Sequence, residues 1–337
     1  MLKKIIIIPA VCFVSLVSYA QNRIEPFQIS LPEEKITGSL YTKIELADIR
    51  NDTTTLGIVQ KGAFNKKANV VPEIPLATQF ANVLNALIDT DSREGDLLLL
   101  LRQFSFAEVT GSLSERGYVQ FRAMLFANTS EGYKRLAAID TVVLVKAVDV
   151  TKKMFRLGSI TITDFIGENL DKDPAEDMLL TMEQLTNIDS VEKANLPLYT
   201  TAAYTDGLYY SFQSFVNQQP DETGLLVSFD KKKRFVGLSY TNKKGKPQPI
   251  TNQFFYAFVH EGKPYISGEL TCYLLEKKNN DFCFTGRAND AKNTDVAVAT
   301  AFFGIIGGLI ASSATSVFEM KIDHLSGGFI RIKEIKK

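Results

Sequence analysis

The first half of the chain contains several stretches in which apolar and polar residues alternate as they do in strands. These stretches are residues 38–50, 56–60, 117–127 and 133–148. The continuous apolar run at 96–106 is short enough for a central strand buried on both faces. One amphipathic helix is predicted over 75–88, because its apolar residues share one face. These apolar residues are Leu76, Phe80, Val83, Leu84 and Leu87. This order of elements predicts an antiparallel sheet with a helix on one face for residues 22–150.

The second half of the chain has short strand-like segments separated by turn residues. The expected strands are 225–230, 234–240, 252–260, 263–267, 270–276 and 282–287. A hairpin should follow, with strands at 317–323 and 329–335 around a Ser-Gly-Gly turn. The spacing is typical of an antiparallel meander. We therefore expect an α+β protein, with a helix-on-antiparallel-sheet domain followed by an antiparallel β domain over 199–337.

Residues 151–198 are interpreted as a helical connector between these domains. Asp173 is suited to cap a helix, Pro174 to occupy its first position, and Glu176 to close a capping box. The apolar face of this helix would consist of Met178, Leu179, Met182 and Leu185. We expect the helix to pack between the domains, and binding of a partner protein is the alternative.

Residues 296–318 are the longest uncharged stretch of the chain, and this stretch has two interpretations. As a helix it would span about 34 Å, and a bilayer core needs about 20 apolar residues. Small residues recur every four positions in it: Thr300, Gly304, Gly308, Ser312 and Ser316. Such a stripe lets helices approach closely, especially in membranes. The stretch is thus a membrane-inserted, self-associating helix or a helical insertion packed on its own domain. The following hairpin needs a sheet to join, which favours the packed insertion.

Residues 1–20 have the pattern of a secretory signal peptide. Lys3 and Lys4 precede an apolar segment, and Ala20 ends a small-x-small cleavage site. We expect cleavage before Gln21. The chain would then be exported to the periplasm or associated with the outer membrane.

Charge and cysteine content narrow the classes of function. The 38 basic residues equal the 38 acidic ones, and removal of the signal leaves 36 basic residues and a formal charge of −2. No basic field is available for nucleic acid. A predicted hairpin turn at Asn279 and Asn280 places Cys283 opposite Glu276 and about 13 Å from Cys272. That is too far for a disulfide, so we expect two buried thiols.

The segment IELADIR, which ends in Asp48 and Arg50, is followed by Leu56, Gly57, a predicted helix and strands. It resembles the YajG-like and ABC-transport-auxiliary lipoproteins of Gram-negative envelopes, which share an Asp-x-Arg strand end and a nearby glycine. The likeness covers residues 38–148, and the lipid-bearing cysteine of those families is missing here. It implies an envelope accessory role without catalysis. Taken from the residues alone, Asp48 and Arg50 are a surface pair worth less than about 1 kcal/mol.

Residues 206–220, DGLYYSFQSFVNQQP, carry a second resemblance. They are similar to a G-I-Y-x-S/T-F-x-x-F-x-x-N-x-P stretch that recurs in secreted proteins of Bacteroidota with no assigned activity. Ser211 is placed to cap a short helix, and Pro220 prevents its extension. The likeness covers residues 199–290 and implies that phylum and the following run of short strands.

The chain has no familiar catalytic, nucleotide-binding or metal-binding motif. His260 and His324 fall at strand ends without metal-ligand partners at the usual sequence spacing. We therefore predict no catalytic residue, no cofactor site and no metal site.

The expected function is that of a non-enzymatic, exported accessory or assembly protein of the cell envelope. Its partner would be an envelope protein or a membrane surface, with no nucleic acid. Two alternatives stay open. One is a membrane-spanning protein that forms homo-oligomers through the stripe in 296–318. The other is a hydrolase whose serine, histidine and carboxylate meet only in space.

Overall fold

The computed structural model describes most of the chain, and the statements below concern that part. The described ranges are residues 23–61, 66–110, 115–147, 149–174, 179–232, 234–241, 246–251, 254–268, 271–287 and 317–335. Over these ranges the protein is α+β and mostly β, as predicted.

The first sheet is built around the long strand β5 (Gly95–Thr110). On one edge β5 pairs with β6 (Glu115–Thr129), which pairs with β7 (Gly132–Lys146), and both pairings are antiparallel. The other edge is shared by two strands. β2 (Tyr41–Asp48) runs parallel to the first part of β5, and β3 (Gly57–Lys61) runs parallel to its later part. The prediction that a second strand segment continues β2 after a polar turn is confirmed.

The predicted purely antiparallel sheet is wrong, because the first sheet is mixed. Besides the parallel pairs of β2 and β3 with β5, β1 (Arg23–Phe27) pairs in parallel with β4 (Lys66–Pro72). Neither β1 nor β4 was predicted. Between β4 and β5 lies α1 (Leu76–Leu87), which supplies the long crossover that a parallel strand pair requires.

Helices α1 and α2 (Val150–Gly167) cover one face of the first sheet. The predicted apolar face of α1 is buried there as expected, at 6% exposure or less for each of Leu76, Phe80, Val83, Leu84 and Leu87. Phe27 and Phe106 each pack against the ring of Phe104 in a T-shaped, edge-to-face arrangement in the same core. This face is a closed apolar layer.

The opposite face of the sheet carries a second, smaller apolar cluster. Leu98 and Leu100 of β5 pack there with residues of α3 (Met182–Thr186) and α4 (Ile188–Lys193). Leu97, Leu99 and Leu101 enter the core under α1 and α2. The prediction that this run is buried on both faces is therefore confirmed.

The helix predicted to start at Asp173 begins later. β8 (Leu179–Leu180) pairs with β7, and α3 starts after Thr181, which forms a capping box with Gln184. Backbone bonding to β7 and this second cap explain why Leu179 and Leu180 are not helical. Residues 175–178, including Glu176 and Met178, lie outside the described residues.

The second half begins with short elements around an apolar core. These are α5 (Pro197–Thr200), β9 (Gly207–Tyr209) and α6 (Phe212–Val216). Ser211 caps α6 through a capping box with Ser214, as predicted from the sequence. Phe215 and Val216 are buried in the core of the second half.

The remaining strands are antiparallel, as predicted, but divide into three sheets rather than one meander. The first sheet of this half is β10 (Leu225–Phe229), β11 (Phe235–Thr241) and β12 (Pro247–Ile250). The next joins β9 to β13 (Ala257–His260), β14 (Lys263–Ser267) and β15 (Cys272–Leu274). The last is β16 (Glu276–Lys278), β17 (Asp281–Arg287), β18 (Val317–Ile322) and β19 (Phe329–Ile335).

The turn between β16 and β17 has the register predicted for it. Asn279 and Asn280 adopt φ values of 49° and 62°, in the left-handed region where asparagine is favoured. Glu276 lies opposite Cys283. Cys283 and Cys272 are both buried thiols and form no disulfide, as expected.

The apolar stretch lies between two paired strands, since Arg287 at the end of β17 pairs with Val317 at the start of β18. Residues 296–316 lie outside the described residues. Also outside them are the predicted signal peptide at 1–20 and the predicted stripe of Thr300, Gly304, Gly308, Ser312 and Ser316. Among the helices that are described, none is both long and apolar enough to cross a bilayer.

Candidate functional site

Charged side chains from distant parts of the chain meet between the outer face of the first sheet and the last sheet. We name this region the charged cleft. It consists of Arg102, Arg122, Asp189, Glu192, Lys193, Asp281, Lys321, Asp323 and His324. A cavity of about 110 Å³ lies within it.

A β-bulge in β5 delivers Arg102 to the cleft. Leu101 pairs with Ala123 and Gln103 pairs with Arg122, so Arg102 is the extra residue on its strand. A bulge re-aims the side chains that follow it. Odd-numbered residues enter the core under the helices before the bulge, and even-numbered ones do so after it. As a result, Arg102 and Gln103 both line the cavity.

Arg122 of β6 joins the first sheet to the turn after β18. Its Nη2 lies 2.6 Å from Oδ2 of Asp323 and 2.7 Å from Oδ2 of Asp140. The Asp323 side chain is only 3% exposed and also accepts a hydrogen bond from the Ser326 hydroxyl. Burial raises the pKa of Asp323, but the charge and hydrogen bond of Arg122 outweigh it and hold that pKa below its ordinary value.

Helix α4 connects both halves through Glu192. Nη1 of Arg102 donates to Glu192 Oε1 at 2.8 Å, and Nη2 donates to Asp189 Oδ1 at 2.5 Å. The other Glu192 oxygen lies 2.8 Å from Nε2 of His324, which follows β18. Burial raises the pKa of Glu192, but His324 and Arg102 together lower it below its usual range.

The neighbouring residue of α4 makes a second connection. Nζ of Lys193, whose side chain is 6% exposed, lies 2.6 Å from Oδ1 of Asp281 in β17. Lys321 of β18 binds the other oxygen of Asp281 at 3.0 Å. Burial raises the pKa of Asp281, and the two lysines lower it below its ordinary value. One short helix is thus ion-paired to β5 and to β17, and its Glu192 contacts His324 in the turn after β18.

Asp189, Glu192 and His324 are a donor set that a divalent cation could use, with ligand atoms within 4.8 Å of one another. In this structure the guanidinium of Arg102 already binds both carboxylates. A metal would have to displace that cation from two short hydrogen bonds. The group is therefore better explained as an ion-pair network than as a metal centre.

The two histidines occupy different environments. His260 ends β13, 3.9 Å from Glu261 and stacked on the ring of Phe229. His324 enters the charged cleft, where its partner Glu192 is 132 positions away in the sequence. Sequence spacing could not reveal this partner.

Sequence reasoning missed the rest of the charged cleft. One signal was visible: Arg102 directly follows five consecutive leucines in a run predicted to be buried on both faces. A charged residue in such a run is almost never fully buried unless paired. Arg122 lies on the polar side of an alternating strand, a pattern that does not distinguish a buried ion pair from a solvent-facing position.

The interpretation of Asp48 and Arg50 as a surface pair is wrong. The Arg50 side chain is 3% exposed and binds both carboxylate oxygens of Asp48, at 2.7 and 2.8 Å. Its Nη1 also donates to the Thr55 carbonyl at 3.1 Å. The pair closes the polar turn between β2 and β3. This geometry explains the two residues structurally and has no bearing on the family resemblance.

The carboxyls of the charged cleft predict a dependence of stability on acidity. Free Asp and Glu titrate near about 3.9 and 4.3. Because the folded-state pKa values of Glu192, Asp281 and Asp323 are lowered, their stabilising contribution is complete above those values and is lost as pH falls through the folded pKa values. We expect the free energy of unfolding to fall steeply below about pH 4.

Glu192→Gln tests this prediction. The variant should be less stable than the wild type at pH 7 but should lose less stability between pH 5 and pH 3, since one of the shifted groups is gone. Denaturant unfolding followed by far-UV circular dichroism measures it, because the chain has no tryptophan. Glu183→Gln, on the exposed side of α3, is the control and should keep the wild-type slope. Equal slopes for all three proteins would contradict the assignment.

Comparison with known proteins adds little to this geometry. No protein-family model and no curated protein matches the chain. One similar solved structure, an uncharacterised protein, has 13% identity and a TM-score of 0.26, covering 44% of this chain and 98% of its own. A second, a protein from Xanthomonas campestris titled with the family model DUF330, has 9% identity and a TM-score of 0.31. It covers 43% of this chain and 94% of its own. At these TM-scores the likeness supports no argument about fold or function.

Proposed function

We propose that the chain is a non-enzymatic accessory or assembly protein of the cell envelope, exported with residues 1–20 as a signal peptide that is then removed. One observation carries the non-enzymatic part of this proposal. The carboxylates and the histidine of the charged cleft are held in ion pairs and hydrogen bonds that join the two halves of the chain. Groups held in this way fix a shape. General acid–base catalysis instead needs a group that exchanges its proton with a substrate.

Glu192 and His324 are the pair in the charged cleft that most resembles a catalytic dyad. Arg102 also binds Glu192 at 2.8 Å, and this cation favours the ionised carboxylate. The hydroxyl of Ser326, two residues after the histidine, donates to Asp323 rather than to His324. The pair is therefore better suited to holding α4 against the turn than to activating a serine. We therefore favour the accessory role over the hydrolase alternative.

The proposal includes a division into an α+β domain over 22–150, a connector over 151–198 and an antiparallel β domain over 199–337. The ion pairs of α4 with both halves support a connecting role for the middle segment. A helical insertion over 296–316 is part of the proposal, since Val317 and Phe318, the last two residues of the predicted stretch 296–318, belong to β18. It is supported by the pairing of β17 with β18, the strands that flank the stretch.

Fractionation of a Bacteroidota host that expresses the full chain tests the proposal. We expect a processed protein starting at Gln21 in the periplasmic or outer-membrane fraction, released from membranes by alkaline carbonate. Intact mass of the purified protein reports the cleavage. An unprocessed chain that stays in the cytoplasm would contradict export.

Retention of the full chain in carbonate-washed membranes would instead favour the membrane-spanning alternative. The stripe then predicts crosslinked oligomers that disappear in Gly304→Leu, because a large side chain prevents close approach of two helices. A chain that lacks 296–316 is the matched control for whether that stretch causes the retention, because it keeps β18 and its buried Phe318.

A further inference from the structure

The cavity in the charged cleft has walls from both halves of the chain. Arg102, Gln103 and Arg122 come from the first sheet, and Lys321, Asp323 and His324 come from the last strands and their turn. At about 110 Å³ the cavity has room for several water molecules or one small oxyanion.

Each carboxylate that lines the cavity has a cationic partner. Asp189 is paired with Arg102, Asp323 with Arg122, and Asp281 with both Lys321 and Lys193, all at 2.5–3.0 Å. Arg102 and Arg122 are each shared with a second acid, Glu192 and Asp140. The paired cations reduce the repulsion that an incoming anion meets, without cancelling it.

Arg122 and Lys321 keep N–H donors that their ion pairs do not use. A guanidinium has five N–H donors and an ammonium has three. Both ion pairs of Arg122 run through Nη2, which leaves Nη1 and Nε outside them. Nε is buried and has no hydrogen-bond partner among the described residues. Lys321 uses Nζ for Asp281 alone within the same described part of the chain.

We propose that the cavity binds a small oxyanion, a phosphate or carboxylate group, between Arg122 and Lys321. Charge-assisted hydrogen bonds from guanidinium and ammonium groups to such oxygens are about twice as strong as neutral ones. The two cations belong to opposite halves of the molecule, so an oxyanion with two or more oxygens joins them. The bound anion adds a ligand-dependent link between the first sheet and β18. This inference does not depend on the compartment in which the chain acts.

Isothermal titration of the full chain with inorganic phosphate, and separately with acetate, tests the proposal at constant ionic strength. We expect saturable binding of at least one anion and a matching rise in the midpoint of thermal unfolding. Preference for phosphate or for acetate identifies which group the site takes. Absence of saturable binding by both anions would overturn the proposal and leave a cavity that holds water alone.

Lys321→Met is the informative variant, because Asp281 keeps its second partner Lys193. Anion affinity should fall at least about tenfold, as for the loss of a hydrogen bond to a charged group. Lys333→Met is the matched control. Lys333 likewise shares an acid, Glu319, with a second lysine, but it lies outside the cavity and should leave affinity unchanged.

A second variant keeps the test decisive if Lys321→Met fails to fold. Asn51 lines the cavity from an exposed loop, so Asn51→Asp leaves the core intact and adds a negative charge beside the site. We expect weaker binding of the anion at pH 7, because the new carboxylate repels it. Equal anion affinity in Asn51→Asp and the wild type would contradict the location of the site.

Discussion

Replacement of Gly57 by alanine should destabilise the protein by more than about 3 kcal/mol. Gly57 begins β3 with a φ of 105°, a backbone conformation that L side chains rarely adopt. A Cβ there would overlap the backbone carbonyl of Phe106 on β5, far inside van der Waals contact. Relief of the overlap requires β3 to move away from β5. The bond from the Phe106 amide to the Leu56 carbonyl, 2.7 Å long, would then be lost.

Gly237→Ala is the matched control for this prediction. Gly237 also lies within a strand, β11, but a Cβ there meets no atom within 4 Å and the backbone is not left-handed. We expect a change of less than about 1 kcal/mol in either direction, since alanine restricts the unfolded chain without a clash. Urea unfolding of both variants by circular dichroism gives the comparison. Similar losses in the two variants would show that the close approach to Phe106 is not the cause.

Local patterns were sufficient for the elements whose signals are local. The hairpin of β18 and β19 follows from strict alternation around a Ser-Gly-Gly turn. The turn at Asn279 and Asn280 sets its own register, and Ser211 caps α6 with a residue three positions away. In each case the deciding residues are neighbours in the sequence. The pattern therefore contained the necessary information.

The mixed topology of the first sheet could not be predicted from such local patterns. In β1 only Phe27 is buried, and the strand has the sequence RIEPF, whose charged residues and proline are typical of loops. Its strand conformation depends on β4, more than 40 positions later, with which it pairs in parallel. Pairing over such distances is decided by tertiary packing. The intervening β2 and β3 supply the long connection that such a parallel pair requires.

The charged cleft was hidden for a related reason. Arg122 alternates with apolar neighbours in a manner typical of a solvent-facing position, and Asp323 precedes a turn as surface acids often do. They become buried only because they meet across 201 positions of sequence. Charged residues that pair in this way resemble ordinary surface residues until the fold is known.

Arg122→Met should cost about 3–5 kcal/mol of stability, because it leaves Asp323 as a buried carboxylate without its cation. Asp323 is 3% exposed, whereas Asp140, the other partner of Arg122, is 37% exposed and can be solvated by water. Burial then raises the pKa of Asp323 unopposed by Arg122. The loss relative to the wild type should therefore be largest near neutral pH and should shrink as pH falls through the lowered pKa at which Asp323 of the wild type becomes protonated.

The double variant Arg122→Met with Asp323→Asn separates pairing from simple loss of packing. Asparagine carries no charge, so the double variant should be more stable than Arg122→Met alone, with a coupling energy of about 1–3 kcal/mol. Arg234→Met is the control, because Arg234 and Asp230 form the same kind of pair at 73% and 27% exposure. Its cost should be much smaller than that of Arg122→Met, because water screens an exposed pair. Additive effects of the two cleft substitutions would show that Arg122 and Asp323 do not stabilise each other. The charged cleft would then not be what holds the turn after β18 to the first sheet.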